Sequence, residues 1–236
     1  PKKVVTNDDL AKIADTNDEW ISTRTGIRSR RYCTDGESHT SLCLAAARQA
    51  LERGGVAPGE IGICLVATVT PDFLSPAAAC LLQKELGFPE DTICFDLNAA
   101  CSGFLYGTAV ARGLLATLGG RYALVIGTEA LSRLMNPADR STCVLFGDGA
   151  GAAVFELTDT TVPFAITLGA RGDAAIHTGG PSRAGSAPIS MDGRAVFRFA
   201  VDALPRCLHA VLEETGKTLD ELDWVVCHQA NSRIID

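Results

Sequence analysis

Cys101 stands in the segment Asp96-Leu97-Asn98-Ala99-Ala100-Cys101-Ser102-Gly103-Phe104. A strand-like run precedes it and an apolar, helix-like run follows, so the thiol falls at a strand-to-helix turn. A thiol at a helix N-terminus meets unpaired N–H groups and the positive end of the helix dipole, which lower its pKa and favour a nucleophilic thiolate. Ala99, Ala100 and Gly103 leave room for a sharp turn and a close-lying substrate, and the Cys101 N–H is placed to serve an oxyanion. The competing reading of any one cysteine is a buried structural thiol, which suits Cys43, Cys64, Cys80, Cys94, Cys143 and Cys227 in their apolar settings. His228 follows Trp224-Val225-Val226-Cys227 directly, at the carboxyl end of a short apolar strand, where α/β sheets carry their sites. Alone it reads as a capping or surface histidine; beside a nucleophile-like cysteine it becomes a candidate catalytic partner. His39, His177 and His209 lack such a setting and read as surface or structural.

Trp20 and Arg24 are four residues apart on a short helix and share a face. An indole beside a guanidinium suits a nucleotide, the ring stacking on a base and the fork binding phosphate. Arg28, Arg30 and Arg31 add a locally basic segment that reads equally well as a solvated run. Gly147, Gly149 and Ala152 satisfy G-x-G-x-x-A, but a dinucleotide fingerprint needs a helix after it, and Ala153-Val154-Phe155-Glu156-Leu157 is strand-like. These glycines are expected to form a tight turn between strands instead.

The elements that must hold these residues alternate between helix and strand. Thr16-Asn17-Asp18-Glu19 has a capping-box pattern, opening a helix that stops near Gly26. Ser41–Arg53 reads as a helix with a glycine stop at Gly54-Gly55. Ile61–Thr70 reads as a strand buried on both faces, and Ser75-Pro76 as the capped start of a helix running to Gly87. Thr92–Asp96 and Tyr122–Gly127 read as strands flanking a helix over Ser102–Leu118. Cys143–Leu157, Thr161–Ala170 and Trp224–Cys227 read as further strands. Phe197, Val201, Leu204, Leu208, Val211 and Leu212 form one helical stripe. This is an α/β pattern with mostly parallel, buried sheets.

The chain of 236 residues is 47% hydrophobic, with a formal net charge of −7. It is long enough for a sizeable core, and its acidity argues against a general nucleic-acid or membrane-surface binder. No apolar run approaches the ~20 residues of a membrane span. Pro1-Lys2-Lys3-Val4 opens no signal-like stretch, and position 1 is not Met, so it need not be the natural start. Nine cysteines, an odd number with no C-x-x-C pair, fit reduced cytoplasmic thiols rather than a disulfide or zinc framework, and no metal site is expected. The segment from Leu51 to Val66 lines up with Leu212 to Cys227 at a constant offset of 161, each a helix end, glycine turn, acidic residue and apolar strand. Such units are common, but the match suggests two similar halves.

With these motifs in this order, the sequence resembles the 3-oxoacyl-[acyl-carrier-protein] synthase III family of thiolase-like condensing enzymes. The matching stretches are Asp18-Glu19-Trp20-Ile21 with Arg24-Thr25-Gly26-Ile27, Asn98 to Phe104, Asp139-Arg140, Phe146 to Gly151, Met191-Asp192-Gly193 with Val196-Phe197, and His228 to Ile235. The resemblance implies a layered αβαβα fold of two pseudo-symmetric halves. Residues 1–160 would be the cysteine-bearing half and 161–236 the start of the histidine-bearing half, incomplete here. It implies that Cys101 takes an acyl group from acyl-CoA and that malonyl-acyl-carrier protein then decarboxylates and condenses with it. His228 would stabilise the developing enolate. Trp20 and Arg140 would flank the adenine, and Arg24 would contact phosphate. Thr16, Phe146, Met191, Gly193, Phe197, Ala230 and Asn231 would line the pantetheine and acyl channel, with Gln229 and Arg233 facing the carrier protein. A cytoplasmic homodimer without resident cofactor is implied.

Relative to the family, a first strand is expected before Pro1, and a catalytic Asn and an oxyanion-hole glycine after Asp236. The chain by itself is therefore expected to be inactive in condensation. Ser75, before Pro76, stands where the family often has a bulky aromatic closing the acyl pocket, which permits a larger or branched primer. A priming ketosynthase of secondary metabolism is a close variant. A thiolase fits less well, given the Trp/Arg pair and His-Gln-Ala-Asn. A cysteine hydrolase would call for glycine at position 99, where Ala99 stands, and offers no place for the repeat. A non-catalytic carrier-binding protein is a third class.

Overall fold

The structure, a computed structural model, describes residues 1–159, 164–179 and 188–235. In chain order its elements are β1 (Lys3–Thr6), α1 (Asn7–Ala11), α2 (Asp18–Thr25), β2 (Ser29–Tyr32), α3 (His39–Gly54), β3 (Ile61–Ala67), α4 (Ala78–Leu86), β4 (Ile93–Leu97), α5 (Gly103–Leu118), β5 (Tyr122–Ala130), β6 (Asp148–Glu156), β7 (Ile176–His177), β8 (Ser190–Met191), α6 (Gly193–Thr215) and α7 (Ser232–Ile235). They fall into two compact units. One comprises Pro1–Lys3, Arg31–Leu131 and Gly147–Thr161, the other Val4–Arg30, Ser132–Phe146 and Val162–Asp236.

The first unit is built on a sheet of order β4-β3-β5-β6. β3 runs parallel to β4 and β5, and β6 closes the sheet antiparallel to β5. Side chains of β3 alternate between two helical layers, as the two-residue period of a strand requires. Ile63 and Leu65 pack with Ala111 and Leu115 of α5. Cys64 and Val66 pack with Cys43 and Ala47 of α3 and with Ala79 and Leu82 of α4. Both faces are covered, which explains the unbroken apolar run in the sequence. Burying each large aliphatic side chain contributes roughly 1.5–3 kcal/mol.

The helices are stopped and started by specific groups. α3 begins on a capping box between Ser38 and Ser41, and the Asp72 carboxylate also accepts from the N–H groups of His39 and Thr40 at 3.3 and 2.8 Å. The expected Ser75 cap of α4 is absent: the helix starts at Ala78, and its N-cap Ala77 makes no side-chain bond. Asp96, on β4, takes that role, accepting from Ala78 N–H at 2.7 Å and Ala79 N–H at 2.9 Å. A carboxylate at a helix N-terminus gains from both the hydrogen bonds and the dipole. α5 approaches the sheet at two glycines one turn apart. A Cβ on Gly103 would lie 2.8 Å from Cβ of Ala67, and one on Gly107 would lie 2.8 Å from Cγ1 of Val125.

In the second unit, α2 is capped by Asn17, whose side chain accepts from Trp20 N–H at 2.7 Å, rather than by the expected Thr16 box. Gly26, at φ 75°, ends it in the left-handed conformation. Arg30 is buried and donates to Val5 O, Asn7 Oδ1 and Val144 O, so it is a structural group and not part of a phosphate patch. The predicted stripe of α6 is helical, yet only Leu212 is buried; Phe197, Val201 and Leu204 are exposed.

The two copies of the repeat share their local geometry. Gly55 (φ 63°, ψ 28°) and Gly216 (φ 65°, ψ 23°) end α3 and α6. Val56 N–H donates to Leu51 O at 3.1 Å and Lys217 N–H to Leu212 O at 2.9 Å, the 6→1 bond of a Schellman stop. A carboxylate oxygen of Glu60 accepts from Ala57 N–H, and one of Glu221 from Thr218 N–H, each at 2.9 Å. The copies then diverge. Ile61–Ala67 enters the sheet, whereas the expected strand Trp224–Cys227 has no ladder partner among the described residues, and Trp224 is 87% exposed.

Two other strand expectations are corrected. Residues 143–145 form a turn, and β6 starts at Asp148, so Gly149 and Gly151 lie inside a strand, opposite Glu129 and Gly127, not in a turn between strands. No helix follows, in keeping with the rejected dinucleotide reading. Residues 164–170 are irregular, and the rest of that predicted strand, 161–163, lies outside the described residues.

Gly103→Ala and Gly107→Ala are each expected to lower stability by about 1–3 kcal/mol through overpacking. Gly113→Ala, where a Cβ meets nothing within 4 Å, should raise it by about 0.4–1 kcal/mol. Urea midpoints check the contrast.

Candidate functional site

Cys101 belongs to the first unit. β4 ends at Leu97, Asn98 and Ala99 turn the chain, and a 3-10 turn over Ala100–Ser102 leads into α5. Ala100 has φ 45°, which costs a residue with a Cβ about 1–2 kcal/mol. Asn98 Oδ1 accepts from Ala100 N–H at 3.3 Å, and Ser102 N–H donates to Ala99 O at 3.0 Å, holding the bend. The sharp turn expected from the small residues is therefore present. The residue is exposed, but so are Cys80 and Cys207; position in this turn, not exposure, distinguishes Cys101.

The electrostatics add groups that act against the helix end. Although the residue as a whole is exposed, partial desolvation pushes the Cys101 thiol up, its own backbone N–H opposes this, and the nearby Glu129 carboxylate adds to the rise. Desolvation thus outweighs the opposing backbone N–H. Glu129, on β5, accepts from Val69 N–H at 2.8 Å and from the hydroxyls of Thr70 and Thr68. Burial raises its own pKa, against those hydrogen bonds. His39 is fully buried next to this group, its Nε2 2.9 Å from Thr68 Oγ1 and its Nδ1 3.7 Å from Cys43 Sγ. Burial also pushes the Cys43 thiol up to about 12, so that cysteine is inert.

The other candidates lie in the second unit. Trp20 and Arg24 share a face of α2 as expected, with the Arg24 guanidinium carbon 4.7 Å from the indole centroid. Arg140, from the turn after Asn136, lies 5.1 Å from the same centroid, so the structure brings all three together. Thr16 Oγ1 is buried with no hydrogen-bond partner among the described residues. Phe146 and Met191 are half-buried, while Gly193 and Phe197 lie in the first turns of α6. His228 and Gln229 are exposed, and Ala230 is half-buried. Asn231 Oδ1 accepts from Arg233 N–H at 2.9 Å, capping α7, and the Arg233 guanidinium donates to Thr23 O at 3.1 Å, tying α7 to α2. No cluster of three or more His, Cys, Asp or Glu residues fit for a metal occurs among the described residues. A hollow of about 550 Å³ at the end of α3, lined by Arg48, Glu52, Val56 and Glu85, holds none of these residues.

Two neighbours of the candidate residues are not legible in the sequence. Glu129 gave no sign beyond an acidic residue at the end of an apolar strand. Asp15, which holds Arg140, precedes the noticed Thr16 by one position. His39, which reads from the sequence as surface or structural, is the structural case, fully buried against Thr68.

The chain is similar to known proteins in sequence and in fold. A family model described as 3-oxoacyl-[acyl-carrier-protein (ACP)] synthase III matches residues 95–172. A Sphingopyxis alaskensis protein named beta-ketoacyl-[acyl-carrier-protein] synthase III is 48% identical, over all of this chain and 75% of its own length. The crystal structure of 3-oxoacyl-[acyl-carrier-protein] synthase III from Aquifex aeolicus is similar with a TM-score of 0.92 and 40% identity, covering all of this chain and 75% of the other. The priming β-ketosynthase of the R1128 polyketide pathway is similar at the same TM-score, with 38% identity over all of this chain and 73% of its own. The thiolase-like α/β fold is thereby shown.

A raised thiol pKa leaves little thiolate at neutral pH. Alkylation of Cys101 by iodoacetamide, followed by peptide mass spectrometry, is expected to climb without levelling off up to about pH 9, above the ordinary cysteine value of about 8.5. A plateau below about pH 8 would mean that the helix end dominates after all.

Proposed function

The chain belongs to the 3-oxoacyl-[acyl-carrier-protein] synthase III family, and on that premise we propose how its residues join an acyl-CoA starter to malonyl-acyl-carrier protein. The reaction is a decarboxylative Claisen condensation that initiates fatty acid biosynthesis. Cys101 gives up its proton and its sulfur attacks the thioester carbonyl; the bond to CoA sulfur breaks and CoA leaves, taking a proton. The malonyl group then loses CO2. The electron pair of the broken C–C bond becomes an enolate that attacks the acyl-Cys101 carbonyl and expels the thiolate, leaving 3-oxoacyl-acyl-carrier protein. Covalent capture divides a hard condensation into two easier steps. A thiol that is mostly protonated at rest needs its proton removed as substrate binds.

The observation that carries this reading is the turn at Cys101. It combines a thiol at the carboxyl end of the half-buried parallel strand β4, a bend held at φ 45° on Ala100, and a helix directly behind. In the same reading His228 donates to the malonyl thioester oxygen, where charge develops only in the transition state. Trp20 and Arg140 flank the adenine, and Arg24 meets phosphate. Thr16, Phe146, Met191, Gly193, Phe197, Ala230 and Asn231 form the pantetheine and acyl channel. Gln229 and Arg233 face the acidic carrier, for which an exposed guanidinium is a suitable partner in a chain of net charge −7. Neither step calls for a resident cofactor. The matching Gly55 and Gly216 stops support a division near residue 160 into two similar halves. β4 is paired on one side only among the described residues and carries the partly exposed Phe95, which supports a homodimer. Free cysteines throughout support a cytoplasmic setting, and no helix among the described residues is long and apolar enough to cross a membrane. Ser75, a small residue ahead of Pro76, favours a second reading of the same chemistry, with a larger or branched primer in a priming ketosynthase.

Intact-protein mass spectrometry of the full-length protein after mixing with acyl-CoA donors of increasing chain length is expected to show one covalent acyl adduct, lost in Cys101→Ala. An adduct that survives without Cys101 would overturn the nucleophile. In the full-length protein, His228→Ala should keep acylation but lose malonyl decarboxylation by about 10²–10³-fold, the size of removing one oxyanion donor; the opposite pattern refutes the division of roles.

A further inference from the structure

Trp20 carries two guanidinium groups, held in different ways. Arg24 is one helical turn along α2 and also donates from Nη1 to Trp20 O at 3.4 Å, so its position follows from the helix. Arg140 is tied down by a different residue. Its Nη1 donates to Asp15 O at 2.8 Å and to Asp15 Oδ2 at 3.3 Å, while its guanidinium carbon lies 5.1 Å from the Trp20 centroid. Asp15, Trp20 and Arg140 all belong to the second unit.

A planar base stacked between an indole and a guanidinium needs a carbon contact distance of about 3.5 Å on each side, or about 7 Å from ring to guanidinium. The 5.1 Å spacing leaves no room for it. If a nucleotide base sits between Trp20 and Arg140, the guanidinium must first retreat by roughly 2 Å. Its bonds to Asp15 are the contacts that hold it where it is. We propose that Asp15 sets the nucleotide affinity of this site: it latches Arg140 onto Trp20, and an adenine-bearing substrate must displace that contact to enter. This inference rests on the reading of Trp20 and Arg140 as the adenine clamp, and adds a residue that opposes binding.

Asp15 and Arg140 are both solvent-exposed, so the latch is weak and its removal changes affinity modestly. Asp15→Ala removes the carboxylate contact and keeps the bond to the backbone O of Asp15; it is expected to lower the Kd for CoA, and the KM for acyl-CoA in Cys101 acylation, by roughly two- to fivefold. The acylation rate at saturation should stay unchanged. Asp15→Asn should act in the same direction. Acyl-pantetheine, which lacks the adenine and its phosphates, should be used equally well by the wild type and both variants. Loss of simple repulsion between a carboxylate and phosphates would also tighten CoA. Adenosine separates the two, followed by Trp20 fluorescence in a Trp224→Phe background. The latch predicts a gain for adenosine as well; a gain confined to CoA overturns it. Unchanged or weaker CoA binding in Asp15→Ala also overturns it, showing that Asp15 follows Arg140 or supports it after opening. If Trp20→Ala and Arg140→Ala leave CoA affinity unchanged, the clamp reading itself falls, and the latch with it.

Discussion

The close approach of α5 to the sheet governs the rest of the first unit. Gly103 and Gly107 lie on the face of the helix that presses against Ala67 and Val125, and neither tolerates a Cβ in that position. Because Gly103 is only two residues past Cys101, this contact fixes where the helix begins and where the thiol sits. The bend at Ala100 follows from the same constraint. The chain must leave β4 and enter a helix lying directly over β3 and β5, and it has five residues, 98–102, in which to turn. Strain at one residue is offset by tight packing at two glycines, the balance by which unusual backbone persists at functional sites.

Beneath that turn lies a polar group that an apolar sheet would not hold by default. Glu129 closes the end of β5 onto the segment after β3 through Val69 and Thr70, and Thr68 links it to His39. Such a network stays in the interior only when its donors and acceptors are matched. It brings a carboxylate near Cys101, which works against the thiolate. Helix terminus and carboxylate act in opposite senses, and burial sides with the carboxylate.

Local patterns in the sequence identified most of the elements, and they failed where tertiary partners decide. The glycine stops, the buried strand Ile61–Ala67 and the Trp20–Arg24 pair were legible because each rests on residues within one or two turns of one another. The start of α4 was not, because its cap comes from Asp96, eighteen residues away from Ala78. The strand expected at Trp224–Cys227 was misjudged because a strand exists only where a neighbour pairs with it. Arg30 looked like one of three surface arginines, yet it is buried among backbone carbonyls that only the fold assembles. At the site, residue types pointed to Cys101 and the Trp/Arg pair, but the sign of the thiol's shift depended on burial, which sequence spacing does not report.

The matched stops at Gly55 and Gly216 bear on the order of folding. Two segments with different surroundings reach the same backbone angles and the same hydrogen bonds, and all of these link residues at most five apart. Helix termination is therefore a low-contact-order event, available to the chain before any sheet exists. The pairing of β3 with β5, which joins Ile63 to Ala123, closes a loop of about sixty residues and belongs to a later, slower stage. The bend that presents Cys101 depends on that sheet being in place, so this thiol is among the last features of the molecule to acquire its geometry.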